Sequence, residues 1–384
     1  MFLTLRRLPS LGKTTPLLFT QRAASEFHLQ LHCQTSTVRR TITATTRMSA
    51  TNRALWQDKA GVKGVIREGP VPSELEDRKL LIKVHAWAMN PCDAMLQDQP
   101  LPFIKYPIIL GQDVAGVVEA VGSIAASKFK VGDRVFGFSL NNGFQEHVIL
   151  DHTVTAKIPD SIPYRDVTVF PLCISTCSFS LFGKDYLALP LPSLNPTSTG
   201  KSVLIWGGSS ACGSNGIQLA KAAGFEVVTT CSAGSFDYVK SIGADKVFDR
   251  NSPTVADDVA AELDKGTCAG IYMAAGKVAE ACQVAYKSKQ KLFVASSNPV
   301  NPEDVPEGVE AKMTFGTGGI EAFSETLPVT FGGFLPEALA KGKYKIAPPP
   351  QVVSKKGLDG IQEALDLLKK GISSKKLVVE VEEV

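Results

Sequence analysis

The chain has 384 residues, 44% of them apolar and 21% charged, with 41 Lys and Arg against 38 Asp and Glu. That length exceeds one average domain and points to two folded units, and the balance of apolar and charged residues excludes a disordered chain. No apolar run approaches the roughly 18 residues needed to span a bilayer, and the cysteines form no C-x-x-C pair, so a soluble protein with reduced thiols is expected.

The first segment, 1–47, stands apart in composition. It holds seven basic residues (Arg6, Arg7, Lys13, Arg22, Arg39, Arg40 and Arg47) and one acidic residue, Glu26, which leaves 34 basic against 37 acidic side chains in the remainder. An Arg-, Ser- and Thr-rich, acid-poor leader suits a mitochondrial presequence. The alternative is an overextended start with translation from Met48, in which case the protein is expected in the cytoplasm. Either way 1–47 is expected to lie outside the fold. The mildly acidic remainder lacks the clustered Lys and Arg of a nucleic-acid binder, so a small-molecule substrate is the expected partner.

From Arg53 to about Phe170 short strands alternate with Gly- and Pro-rich turns. Lys79–Ala88 reads as a strand, and Lys130–Gly137 as a turn feeding one, in a β-rich, barrel-like unit over 53–170. Thereafter the period changes. Strands are predicted at Ser202–Trp206, Phe225–Thr230, Lys246–Asp249, Gly270–Ala274 and Lys291–Ala295. They alternate with helices at Gly213–Ala223, Phe236–Ile242, Val255–Leu263 and Val278–Ser288, with Ser235 as the N-cap of the second helix and Gly243 as its stop. Five strands in such alternation predict an α/β fold with a doubly wound parallel sheet over 171–326. The last part, 327–384, carries a Pro-rich link at Pro348–Pro350, an amphipathic helix over Gly357–Lys370 and a strand at Lys376–Glu380, and is expected to return to the first domain. Leu96–Tyr106, Leu187–Thr199 and Asn298–Phe334 read as loops around the substrate pocket, with Leu187–Thr199 taken as a surface insertion.

The most informative stretch is Gly207, Gly208, Ser209, Ser210, Ala211, Cys212 and Gly213, which follows a buried strand and opens a helix. In such a turn glycines let backbone N–H groups approach a pyrophosphate, and the helix N-terminus adds favourable partial positive charge. At the end of the second strand, where NAD-specific sites place a carboxylate for the ribose 2′-hydroxyl, the chain has Cys231, Ser232, Ala233, Gly234 and Ser235. A carboxylate would repel a 2′-phosphate, whereas hydroxyls and loop N–H groups donate to it, so NADPH is the expected cofactor.

These residues, together with Asn90-Pro91-Cys92-Asp93, Gly111–Val118 and Val131–Val135, resemble the medium-chain dehydrogenase/reductase superfamily. More narrowly, they resemble its zinc-free branch of quinone-oxidoreductase-like proteins and fungal trans-acting enoyl reductases. The resemblance covers about residues 53–384. It implies a GroES-like barrel followed by a Rossmann domain, a pyrophosphate cradle at Ser209–Gly213 and a 2′-phosphate site at Ser232–Ser235. It also implies a nicotinamide end lined by Asn90, Asp93 and Thr176, the last in a helix over Leu172–Phe182, and either a monomer or a homodimer. The chain departs from the pattern twice: no basic residue lies near Gly234, and Arg250 stands where this branch tends to place a Tyr, as a candidate partner for the phosphate.

Zinc alcohol dehydrogenases of the same superfamily need a Cys, a His-Glu pair and a second Cys or Asp around the metal. Here Gln112-Asp113 takes the place of the His-Glu pair, and no cysteine lies between Gly132 and Tyr164 to build a structural zinc lobe. No metal is therefore expected. Cys173 and Cys177, one helical turn apart, read as core residues. His85 and His147 fall in strands and His152 in a polar turn; they read as structural, and no proton donor is assigned. The expected reaction is hydride transfer from NADPH to an activated C=C bond, in an enoyl thioester or enone, or to a quinone. Asn90, Asp93 and Thr176 would position the cofactor. The rival readings are a zinc-type alcohol dehydrogenase and a catalytically silent NADPH-binding protein.

Overall fold

The computed structural model describes residues 51–102, 104–314 and 324–382. The leader question, Cys33, His28 and His32 therefore lie outside the described residues. The chain begins with strands β1 (Arg53–Gln57), β2 (Val65–Glu68) and β3 (Lys79–Ala88), then helix α1 (Pro91–Asp98). Next come β4 (Ile108–Ile109), β5 (Asp113–Val121), β6 (Arg134–Phe138), β7 (His147–Asp151) and β8 (Thr155–Lys157). Helices α2 (Tyr164–Val167) and α3 (Pro171–Phe182) lead into β9 (Lys201–Trp206) and α4 (Ala211–Ala222). The alternation continues through β10 (Glu226–Cys231), α5 (Phe236–Ser241), β11 (Lys246–Asp249), α6 (Val255–Leu263), β12 (Thr267–Met273), α7 (Val278–Lys287), β13 (Phe293–Ser296) and β14 (Glu310–Met313). The chain ends in α8 (Leu327–Val329), α9 (Leu335–Ala340), β15 (Pro350–Val352), α10 (Gly357–Lys369) and β16 (Lys376–Glu380).

The α/β architecture is as expected. One sheet has the order β11-β10-β9-β12-β13-β14, and every neighbouring pair in it is parallel. Its central strands read as continuous apolar runs because helices cover both faces. A second sheet, of order β15-β16-β3-β5-β6-β8 with β7 paired to β3, and a small sheet of order β2-β1-β4 make the β-rich part. β16 pairs antiparallel with β3 (Val378 opposite Ala88), so the last strand joins the sheet built by the first half of the chain.

Three expectations need correction. The parallel sheet has a sixth strand, β14, inside a segment read as a loop; its four residues, Glu310-Ala311-Lys312-Met313, form an edge too short and polar to show a period. The Pro-rich link contains β15, an edge strand that tolerates Pro350 at its first position. Ser235 precedes α5 but its side chain makes no cap hydrogen bond, because its hydroxyl lies 3.1 Å from that of Ser374. Gly243 ends α5 as predicted, with a φ of +113°.

All described residues belong to one compact unit. A single apolar cluster runs from Phe136 and Val154 of the β-rich part through Ile174 and Leu181 of α3 to Ile205 and Tyr272 of the parallel sheet. α3 thus lies at the seam between the two sheets. α10 covers the β-rich part with Leu358, Ile361, Ala364 and Leu365, the apolar side predicted from its 3.6-residue period.

Candidate active site

The turn after β9 is a backbone construction. Gly207 has a φ of +82°, and a Cβ there would lie 2.5 Å from the carbonyl oxygen of Ala275, so only glycine fits. Its N–H donates to Thr230 Oγ1 (3.1 Å), and that of Gly208 to the Thr230 carbonyl (2.8 Å), which ties the turn to β10. Ser210, and not a residue after it, is the N-cap: its hydroxyl accepts from the N–H of Gly213 at 3.0 Å, so α4 starts two residues before the predicted Gly213. A Cβ at Gly213 would stand 2.2 Å from the Gly207 carbonyl oxygen. Turn and helix therefore approach more closely than any side chain permits, leaving the open helix end as a cradle of the kind that holds a pyrophosphate.

β10 ends at Cys231, whose thiol burial pushes up to about 11, and Ala233–Ser235 form a short 3-10 turn. Ser235 Oγ lies 3.5 Å from Ser232 Oγ, so the two predicted hydroxyls share one turn. The structure adds Ser374, which sequence reasoning missed; it reaches Ser235 from the loop before β16 with a φ of +54°. Arg250 donates its N–H to the Cys231 carbonyl at 2.9 Å, which sets it beside this turn with an exposed side chain.

The other end of the site is a side-chain construction centred on Asp113, the first residue of β5 and fully buried. One carboxylate oxygen accepts from the N–H of Leu172 in the first turn of α3 (2.7 Å). The other accepts from Asn90 Nδ2 (3.0 Å) and from Lys376 Nζ at the start of β16 (2.5 Å). Lys376 also donates to the Val169 carbonyl (3.1 Å) and to Cys173 Sγ (3.3 Å), with its side chain only 3% exposed.

Asn90 is the N-cap of α1, and its N–H donates to Asp93 Oδ2 at 2.8 Å. Asp93 Oδ1 is buried without a partner. Burial, with the Asp113 carboxylate nearby, raises the Asp93 carboxyl to about 7. Thr176 sits one turn into α3 and donates to the Leu172 carbonyl at 2.9 Å. Asn90 and Asp93 thus touch each other, and Asp113 links Asn90 to the helix of Thr176.

Two residues of this cluster escaped sequence reasoning. Lys376 is one of two adjacent lysines heading a strand, and nothing in that pattern marks it as buried. Cys173 is buried as predicted for a core residue, yet it accepts from an ammonium; its thiol is pushed well up by hydrogen bonding to Cys212 and by burial. Cys177 Sγ donates to the Cys212 carbonyl at 2.9 Å, joining α3 to the first turn of α4. Gln112 is also occupied: its amide donates to Asn141 Oδ1 (2.5 Å) and accepts from the Asn141 N–H (3.1 Å). The described cysteines are unpaired thiols, and no helix among the described residues is long and apolar enough to cross a membrane.

Residues 76–160 match the profile of the alcohol dehydrogenase GroES-like domain. The dehydrogenase azaJ of Aspergillus niger is 42% identical over 334 residues, covering 82% of this chain and 94% of that protein. The trans-enoyl reductase himH of Aspergillus japonicus is 37% identical over 346 residues, covering 87% and 98%. In fold, the quinone oxidoreductase of Coxiella burnetii aligns over 86% of this chain and 100% of its own with a TM-score of 0.65 and 21% identity. The chain belongs to the medium-chain dehydrogenase/reductase superfamily, whose oxidoreductases bind a nicotinamide cofactor.

Proposed function

We propose that the protein is an NADPH-dependent reductase of activated C=C bonds, in enones or enoyl thioesters, or of quinones, and that it works without a metal. The observation that carries the cofactor choice is the turn after β10. It offers the hydroxyls of Ser232 and Ser235 and no carboxylate, an arrangement that accepts a 2′-phosphate and gives a ribose 2′-hydroxyl nothing special. Arg250 beside this turn is the candidate counter-charge.

When bound, a reduced nicotinamide would supply the hydride that the acceptor takes up, and solvent would supply the accompanying proton. The chain's own part is positioning. Gly207–Gly213 hold the pyrophosphate, and Asn90, Asp93 and Thr176 order the nicotinamide end. Such placement contributes substantially to rate when it prepays the entropy of alignment. Likeness to reductases in sequence and fold supports the reaction class.

The test is NADPH oxidation by protein starting at Met48 against enones, enoyl thioesters and quinones, with NADH alongside and alcohol oxidation as control. Turnover of a conjugated acceptor with NADPH preferred is the expected result. Alcohol oxidation that disappears on chelation would establish the zinc-type reading, and NADPH binding with no turnover the silent one.

A further inference from the structure

The superfamily's alcohol dehydrogenase members hold a metal ion between Cys, His, Glu or Asp ligands. The residues of this chain do not fit such an ion. Gln112 uses both ends of its amide on Asn141, and Asp113 is paired with Lys376. Among the described residues no three His, Cys, Asp or Glu side chains are arranged to hold a metal.

An ammonium has three N–H donors and no acceptor, and Lys376 has three acceptors: Asp113, Val169 and Cys173. It is therefore saturated, and it has no proton-donating direction left for a substrate. Burying a charged pair is a poor way to gain stability, since each ion loses its hydration. The pair does have a positional consequence. Its carboxylate also holds Asn90 and the first turn of α3, so groups from four chain segments are gathered around one buried cation.

We propose that Lys376 is the resident cation of this site, in a cluster whose other side chains do not fit a metal. Through Asp113 it positions Asn90 and the N-terminal turn of α3 for hydride transfer. The positioning part rests on the reductase reading above, whereas the exclusion of a metal stands independently of it.

The experiment has two arms, both on the full chain. In the first, wild-type protein is dialysed against Co²⁺ and examined for bound metal and for a thiolate-to-cobalt absorption band. Bound cobalt far below one ion per chain and no such band are expected. One ion per chain, with a band that Cys173→Ser removes, would overturn the proposal. In the second, Lys376→Met, Asp113→Asn and the double variant are compared for thermal midpoint, kcat and acceptor KM. Each single variant leaves one buried charge unpaired and lowers the midpoint. The double variant regains most of the lost midpoint, yet its kcat stays about 100-fold below wild type with little change in KM. A double variant that regains both stability and kcat would reduce the pair to a structural staple. Should no acceptor be turned over by wild type, the reductase reading fails, and the cobalt arm still decides whether this site excludes a metal.

Discussion

The turn after β9 takes its geometry from a contiguous run, Gly207–Gly213, whereas Asp113 collects its partners from Asn90, Leu172 and Lys376, up to 263 positions away along the chain. One is made of backbone, the other of side chains. A backbone site leaves a local signature, because glycine is required wherever a Cβ has no room. A side-chain site assembled at a seam leaves almost none. The contrast also predicts different failures: crowding should break the first site, and loss of charge balance the second.

The largest effect is expected from Gly213→Val. Its Cβ would stand 2.2 Å from the Gly207 carbonyl, so the turn must open or α4 must move. Dinucleotide affinity should fall at least about 100-fold, or stability by more than about 3 kcal/mol, as read by fluorescence titration and denaturant unfolding. Full affinity in a stable Gly213→Val protein would show that the cradle is not backbone-built. Asp113→Asn comes next. It leaves the buried ammonium without its counter-charge, and urea unfolding should show a loss of about 3–5 kcal/mol; a loss under about 1 kcal/mol would mean the cluster is not held by charge.

Ser235→Asp probes the serine turn. Placing a carboxylate in the serine turn should weaken NADPH roughly 10- to 100-fold and leave NADH unchanged or improved, measured by calorimetry. Equal weakening of both would indicate a collapsed turn. The smallest effect concerns pH. Burial holds the folded-state carboxyl of Asp93 at about 7, above its ordinary value of 3.8, so the folded form binds the proton more tightly. Its contribution to stability is complete below the unfolded value and is lost as pH rises through about 7. The thermal midpoint of wild type should therefore decline more steeply between pH 5 and pH 8 than that of Asp93→Asn, by roughly a few degrees. Parallel curves would place that proton elsewhere.

The same contrast explains what could be read from the sequence. The strands β9–β13 and their helices were legible because each carries its own period, and Gly207–Gly213 because strand, glycines and helix follow one another. β14 and β15 were not, since three or four residues at a sheet edge carry no period. Asn90 and Asp93 are singled out only by resemblance, and the link from Asn90 to α3 is hidden in Asp113, whose partners include a lysine contributed by the last strand. Ser374 was missed for a similar reason: its hydroxyl meets Ser235 only because β16 returns to pair with β3. Long-range return of the chain is the information that periodicity cannot supply.

In the proposed function the serine turn and the glycine cradle together select a phosphorylated nicotinamide dinucleotide. Titration calorimetry of purified protein with NADPH and NADH, at one ionic strength, tests it most directly. NADPH should bind with one site per chain and at least about tenfold more tightly than NADH. Absence of NADPH binding, or equal affinity for the two, would contradict it.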